Sequence, residues 1–399
     1  MAGFVFATGI ENSYPKIANG VRVDEMEKCG HYRRWHDDLA LVHEMGLRYL
    51  RWGPPLHRVF TGPGQYNWAW TDAVVRDMNR LSIRPIMDLC HFGLPDWLGD
   101  FQNTDFPKYF AEYAAECAER YPHIRHWTPV NEILITALFS AKYGWWNERL
   151  TTEHAFVRAT LNLCRANLLA MREIRRRVPE AIFVQAESCE FWHATHPEAQ
   201  AGADFENERR FLPLDLTFGH PLSHRMQSHL YDHGMTGADE AFFQHAALRK
   251  RCFVGTDYYV TNEHFLNRDG TSGPSQDVLG YAEIARQYYR RYRLPMIHTE
   301  TNLREDHGSE RWLWKQWHCL MQLRREGIPI RGFTWYSLTD QMDWDTALRE
   351  DARRVNAVGL YDLDRQIRPV GREFARLMGE WSATLAQPAV TRLKIRRVA

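Results

Sequence analysis

The chain has 399 residues, 44% of them hydrophobic and 25% charged, which excludes a disordered or collagen-like polymer. Lys and Arg number 50 and Asp and Glu also 50, so the formal net charge is zero. Nucleic acids and anionic membrane surfaces demand a basic excess, and neither is expected as the main partner.

In chain order, the opening Met1-Ala2-Gly3-Phe4-Val5-Phe6 reads as the start of a strand, not as a basic and apolar leader. Further short apolar runs suggest strands at 4–9, 47–52, 84–89, 126–131, 182–186, 252–259, 294–299 and 330–335. Amphipathic stretches lie between them. The clearest spans Thr152 to Arg177, where Phe156, Ala159, Leu163, Ala166, Ala170 and Ile174 share one helical face. Another follows Ser309, read as an N-cap, with Leu313, Trp317 and Leu320 turned inward. The segment 187–250 shows little periodicity and is taken as an elaborated loop after strand five; 340–357 is a similar loop after strand eight.

Eight strands, each with a following helix, predict an α/β protein built as a single (β/α)8 TIM barrel. No linker, charge block or repeat divides the chain, so one domain over 1–399 is expected. The seven Cys are scattered without the two-residue spacing of a zinc or redox motif, which predicts reduced thiols in a cytoplasmic protein. No apolar run is long enough for a membrane span. The 15 Trp, 17 Tyr and 20 Phe offer flat apolar faces that suit sugar rings.

In such a barrel the chemistry sits at the C-terminal ends of the strands. Glu132 ends strand four and Glu300 ends strand seven. Two carboxyl groups facing one another at that depth suit glycoside hydrolysis, in which one protonates the leaving oxygen and the other attacks the anomeric carbon. The attacking carboxylate must stay ionised, which a neighbouring Arg and a Tyr hydroxyl favour, and Arg51 and Tyr259 are at hand. Arg51 lies inside the apolar run Tyr49-Leu50-Arg51-Trp52, where it needs a buried partner. His91 closes strand three as a core residue or a donor to a sugar hydroxyl, and Trp335, Tyr336 and Trp344 flank strand eight as core packing or a sugar platform.

From about residue 4 to 375 the chain resembles glycoside hydrolase family 1, the retaining β-glycosidases. The stretch from His31 through Asp38 to Leu41 is similar to the family's D-H-Y-x-R helix, and Gly46, Arg51 and Arg58 keep the intervals of its second strand. Pro85 through His91 to Pro95 resembles the third strand, Trp127-Thr128-Pro129-Val130-Asn131-Glu132 the W-x-T-x-N-E-P motif, and Gly255 to Tyr259 the G-x-N-Y-Y motif. His298-Thr299-Glu300 resembles I-T-E-N-G, Leu338 to Trp344 resembles L-L-D-N-F-E-W, and Val358 to Asp364 the closing F-G-L-x-x-V-D. The resemblance implies Glu132 as acid/base, Glu300 as nucleophile with Arg51 and Tyr259 beside it, Asn131 on the sugar 2-hydroxyl, His91 on the glycone, and Asp343 and Trp344 on its outer hydroxyls.

The chain departs from the family at several of these positions. Asp257 stands where the family has Asn, which puts a third carboxylate near the pair, and Asp343 stands in place of Glu. The strand-eight Trp falls on Tyr336, with Trp335 as the alternative. The shortened first strand leaves Glu11 or Asn12 for the family's sugar-binding Gln.

The function implied is a retaining exo-β-glycosidase, β-glucosidase-like, acting on a carbohydrate without metal or organic cofactor. An acid at Asp343 would repel a sugar phosphate, so an unphosphorylated glycone is expected, although Arg349, Arg353 and Arg354 on the same loop keep the question open. The alternative is a transglycosylase using the same pair. A metal-dependent barrel hydrolase is the third reading, and it lacks the His-x-His or His-Glu-x-x-His spacing it would need. A homo-oligomer remains open.

Overall fold

The structure, a computed structural model, describes residues 3–386. Eight barrel strands follow one another along the chain: β1 (Val5–Gly9), β2 (Tyr49–Trp52), β3 (Arg84–Asp88), β4 (His126–Thr128), β5 (Ile182–Ser188), β6 (Cys252–Asp257), β7 (Met296–Glu300) and β8 (Ile330–Trp335). Each pairs in parallel with its sequence neighbours, and β8 pairs with β1 to close the barrel. The eight expected strands are all present, with ends displaced by a few residues. β4 stops at Thr128, short of the expected 131, because Pro129 has no N–H for the ladder. The chain then turns across the barrel mouth, and the N–H groups of Asn131 and Glu132 bond the carbonyls of Cys90 and Ala186.

Branched side chains from alternate strands fill the floor of the barrel. Ile86, Val184 and Ile297, from β3, β5 and β7, form a cluster separate from the shell of helix contacts. Gly332 on β8 leaves room beside this layer, since a Cβ there would stand 2.7 Å from Val5 Cγ2 and 3.3 Å from Ile297 Cγ2. Above the floor the inward side chains turn polar.

The helix expected over 152–177 runs Glu153–Arg177, and the Thr152 hydroxyl caps it by accepting the Ala155 N–H. The helix at Ser309 covers Ser309–Arg325 with Leu313, Trp317 and Leu320 buried, but its N-cap is Gly308 in the left-handed region, and Ser309 is the first helical residue. The segment after β5 is more ordered than a loop. It holds a strand, Phe191–Ala194, and four helices, Gln200–Arg209, Leu212–Phe218, His224–Asp232 and Gly237–Ala246. Its weak periodicity has a cause: every residue of Leu212–Phe218 is buried, so that helix has no polar face to mark its period. The strand Phe191–Ala194 joins Glu263–Leu266 and Ser272–Pro274 in a small sheet beyond the ends of β5 and β6. The loop after β8 contains an antiparallel pair, Gln341–Met342 with Val355–Asn356.

All seven Cys thiols are unpaired. Among the described residues, no helix is long and apolar enough to cross a membrane.

The first outer helix, His31–Glu44, is tied to the barrel by buried polar contacts. Asp38 accepts from Arg365 Nε at 2.8 Å and Nη2 at 3.1 Å, and lies 2.7 Å from His31 Nδ1. His31 Nε2 in turn accepts from the Trp52 indole at 3.1 Å. Burial pushes the Asp38 carboxyl up, but His31 and Arg365 outweigh it and hold it below the usual range. Its contribution to stability is therefore present above the unfolded carboxylate value and is lost as pH falls through the lower folded one. Asp38→Ala should cost about 3–5 kcal/mol by stranding Arg365, read as a fall in the urea midpoint at neutral pH.

Candidate active site

Arg51, on β2, is a guanidinium buried above the barrel floor, 1% exposed. It donates through Nη1 to Glu300 Oε1, and through Nη2 to Asn131 Oδ1 at 2.7 Å and Asp88 Oδ2 at 3.3 Å. Tyr259 Oη donates to the other Glu300 oxygen at 2.7 Å. Glu300 thus has a cation on one oxygen and a hydroxyl on the other. Burial alone would lower the Arg51 pKa, but Glu300, Asp257 and Asp88 reverse that and raise it.

Glu132 adopts φ 40° and ψ 66°, a left-handed conformation uncommon for a residue with a side chain. The turn is held by the helix it starts, Ile133–Ala137, whose first two N–H groups bond the Glu187 carboxylate at 3.0 and 3.2 Å. One carboxyl oxygen each from Glu132, Asp257 and Glu300 lie within 4.8 Å of one another. Burial, then the charges of Asp257 and Glu300, push the Glu132 carboxyl well above the usual range, as a proton donor requires. These three are the one set of acidic or His side chains among the described residues close enough to hold a cation, and the Arg51 guanidinium on Glu300 already supplies positive charge there.

Around this centre lies a pocket wall. His91 Nδ1 is 2.8 Å from Asp88, and its Nε2 accepts from Asn131 Nδ2 at 3.3 Å. Burial lowers the His91 pKa, but Asp88 and then Glu11 outweigh it and raise it. Glu11 accepts from the Ser13 N–H and hydroxyl and from Gln341 Nε2 at 3.0 Å, and one of its oxygens is 4.0 Å from His91. The Tyr336 ring lies parallel to His91, at 6.2 Å, and under the Arg51 guanidinium, at 5.5 Å. It can do so because β1 ends in Gly9, where a Cβ would fall 2.2 Å from that ring. Trp344 is half-buried against Phe92 and Trp146.

The family model described as glycosyl hydrolase family 1 matches residues 12–222, more than half of the chain. The chain belongs to glycosyl hydrolase family 1. It is 23% identical over 361 residues to β-glucosidase A of Thermotoga maritima, covering 79% of each chain. It is 24% identical over 383 residues to the aryl-phospho-β-D-glucosidase BglC of Bacillus subtilis, covering 79% of this chain and 78% of the relative. The crystallised Thermotoga maritima β-glucosidase in complex with an N-octyl calystegine derivative shares the fold at TM-score 0.81 and 18% identity, over 95% of this chain and 98% of that one. This family 1 protein is an O-glycosyl hydrolase of β-glucosidase-like type, and its substrate is a carbohydrate.

Of the expected site residues, the family 1 barrel brings together Glu132, Glu300, Arg51, Tyr259, Asn131, His91, Glu11, Asp257 and Tyr336. Two are placed otherwise. Asp343 does not face the pocket with free oxygens: its carboxylate accepts the N–H groups of Ala352, Arg353 and Arg354 and sits 2.5 Å from Lys28 Nζ. Asp343 holds the loop after β8, and its supposed repulsion of a phosphate loses its ground. Trp335 is fully buried and donates its indole N–H to Val358 O at 2.9 Å, so it is packing, and Tyr336 is the residue turned to the site.

Three carboxylates escaped the sequence reading. Asp88 joins Arg51 to His91, Glu187 caps the Glu132 helix, and Glu25 accepts the Met342 N–H beside Lys28. Burial pushes both Glu25 and Glu187 up to about 8. Each is an acid inside an apolar or helical run, which is the signal that marks a buried polar role. Arg51→Met should lower kcat/KM on an aryl β-glycoside about 100-fold or more, chiefly through kcat, in steady-state kinetics.

Proposed function

We propose that this family 1 enzyme is a retaining exo-β-glycosidase working by double displacement. Glu300 attacks the anomeric carbon and forms a covalent glycosyl-enzyme while Glu132 protonates the departing oxygen. Glu132 then takes a proton from the water that releases the sugar. The observation that carries this is the approach of Glu132 and Glu300 carboxyl oxygens to within 4.8 Å. That oxygen-to-oxygen approach lies closer to the roughly 5–5.5 Å carboxyl separation of retaining enzymes than to the roughly 6.5–9.5 Å of inverting ones. Arg51 and Tyr259 orient the nucleophile, and Asn131, His91, Glu11 and Tyr336 contact the glycone. Trp344 offers its face at the rim. The reading takes 1–399 as one barrel domain, and the unpaired thiols support a reducing, cytoplasmic setting.

The glycone is read as unphosphorylated on the pairing of the cations near the rim, not on Asp343. Lys28 is shared among Glu25, Asp343 and Asp351, and Arg354 is held by Asp345 and Glu350. Neither Lys28 nor Arg354 is left without a carboxylate to meet a phosphate, while Arg349 donates to Thr346 O and lies over the Trp145 ring.

Glu300→Gly should abolish hydrolysis of 4-nitrophenyl β-glycosides, and added azide should restore turnover to a glycosyl azide of inverted configuration. Normal turnover in that variant would remove Glu300 from the role. A panel of aryl β-glycosides with a 6-phospho-β-glucoside beside it should give at least a tenfold higher kcat/KM for the best neutral sugar.

A further inference from the structure

The two-carboxylate chemistry leaves Asp257 without a task. Its side chain is fully buried, and neither oxygen receives a well-aligned hydrogen bond from an N–H or O–H group among the described residues, although the Thr299 hydroxyl lies beside it. It stands beside Glu300 in the β6–β7 register. Both Glu300 oxygens are taken by Arg51 and Tyr259, so Asp257 has no such donor of its own. Across the site it faces Glu132, whose carboxyl lies within hydrogen-bonding reach. Two ionised carboxylates there repel each other, and one proton between them turns repulsion into a hydrogen bond.

We propose that Asp257 and Glu132 share a single proton, which makes Asp257 a positioning residue that keeps the acid/base loaded and aimed. This rests on the reading of Glu132 as acid/base. The groups facing Asp257 are Arg51 on β2, Glu132 after β4, Cys189 after β5, Tyr259 just beyond the end of β6, Thr299 and Glu300 on β7, and Tyr281 on the helix Tyr281–Tyr292. Arg51 is the one cation among them, and it is engaged by Glu300, Asn131 and Asp88. Glu187 and Glu190 also face Glu132. Glu187 is occupied by two backbone N–H groups, and Glu190 by Ser188, Asn262 and His264. Asp257 is therefore the carboxylate left to share the proton.

The proton balance is simple. In the first step the shared proton leaves Glu132 for the glycosidic oxygen as the bond from Glu300 to the anomeric carbon forms and the aglycone bond breaks. The pair then bears two charges. In the second step water bonds the anomeric carbon, Glu300 departs, and the water proton returns to the pair. The charge on Asp257 makes Glu132 a stronger base in that step, and it holds the proton to higher pH before the first.

The test is the pH profile of kcat/KM for Asp257→Asn on the best 4-nitrophenyl β-glycoside. With the charge removed, Glu132 loses its proton more readily, and the basic limb should move down by about two pH units or slightly more, the effect of one charge at roughly 5 Å in an effective dielectric near 20. A merely structural role would lower the rate without moving the limb. Asp257→Ser, which removes the same charge with a smaller side chain, carries the same expectation should the amide variant not fold. A basic limb at the wild-type pH in an active variant overturns the shared proton while leaving the glycosidase reading intact. A wild-type enzyme inactive on every glycoside overturns both.

Discussion

One buried cation organises the mouth of this barrel. A guanidinium removed from water is costly unless its donors are met by acceptors and its charge by carboxylates. Arg51 solves this with Glu300, Asp88 and Asn131, each from a different strand end. The same contacts fix the carboxylate on β7, steady the amide next to Glu132, and through Asp88 orient His91. Electrostatic preorganisation of this kind requires that the parts be held before substrate arrives.

Around that cation the carboxyl groups fall into two kinds. Glu300 is met by a charge and a hydroxyl, whereas Glu132 is buried among other acids. Two identical side chains thus meet opposite surroundings, the asymmetry that the proposed double displacement uses. The left-handed backbone at Glu132 belongs to the same design, since it throws the side chain across the mouth while Glu187 anchors the helix behind it.

Much of this was legible in the sequence. The places of Glu132 shortly after strand four and of Glu300 at the end of strand seven gave the pair its depth, and Arg51 betrayed itself as a charge in an apolar strand. Asp257 could be recognised as a departure from the family pattern. Other parts depended on long-range geometry. Which way Trp335 and Tyr336 turn follows from the pleat of β8 and the bare end of β1 at Gly9, two strands joined only when the barrel closes. Asp343 occupied a motif position, yet its oxygens went to backbone N–H groups nine to eleven residues ahead. The helix Leu212–Phe218, buried all round, had no amphipathic stripe to read.

The arrangement at Asp343 separates two parts of the protein that could otherwise change only together. Apart from the bond from Gln341 to Glu11, the rim beside Trp344 is knotted to itself and to Lys28. A lineage could therefore remodel this brim, lengthening it or recolouring its charge, and so retune which sugars are admitted while the machinery beneath stays untouched.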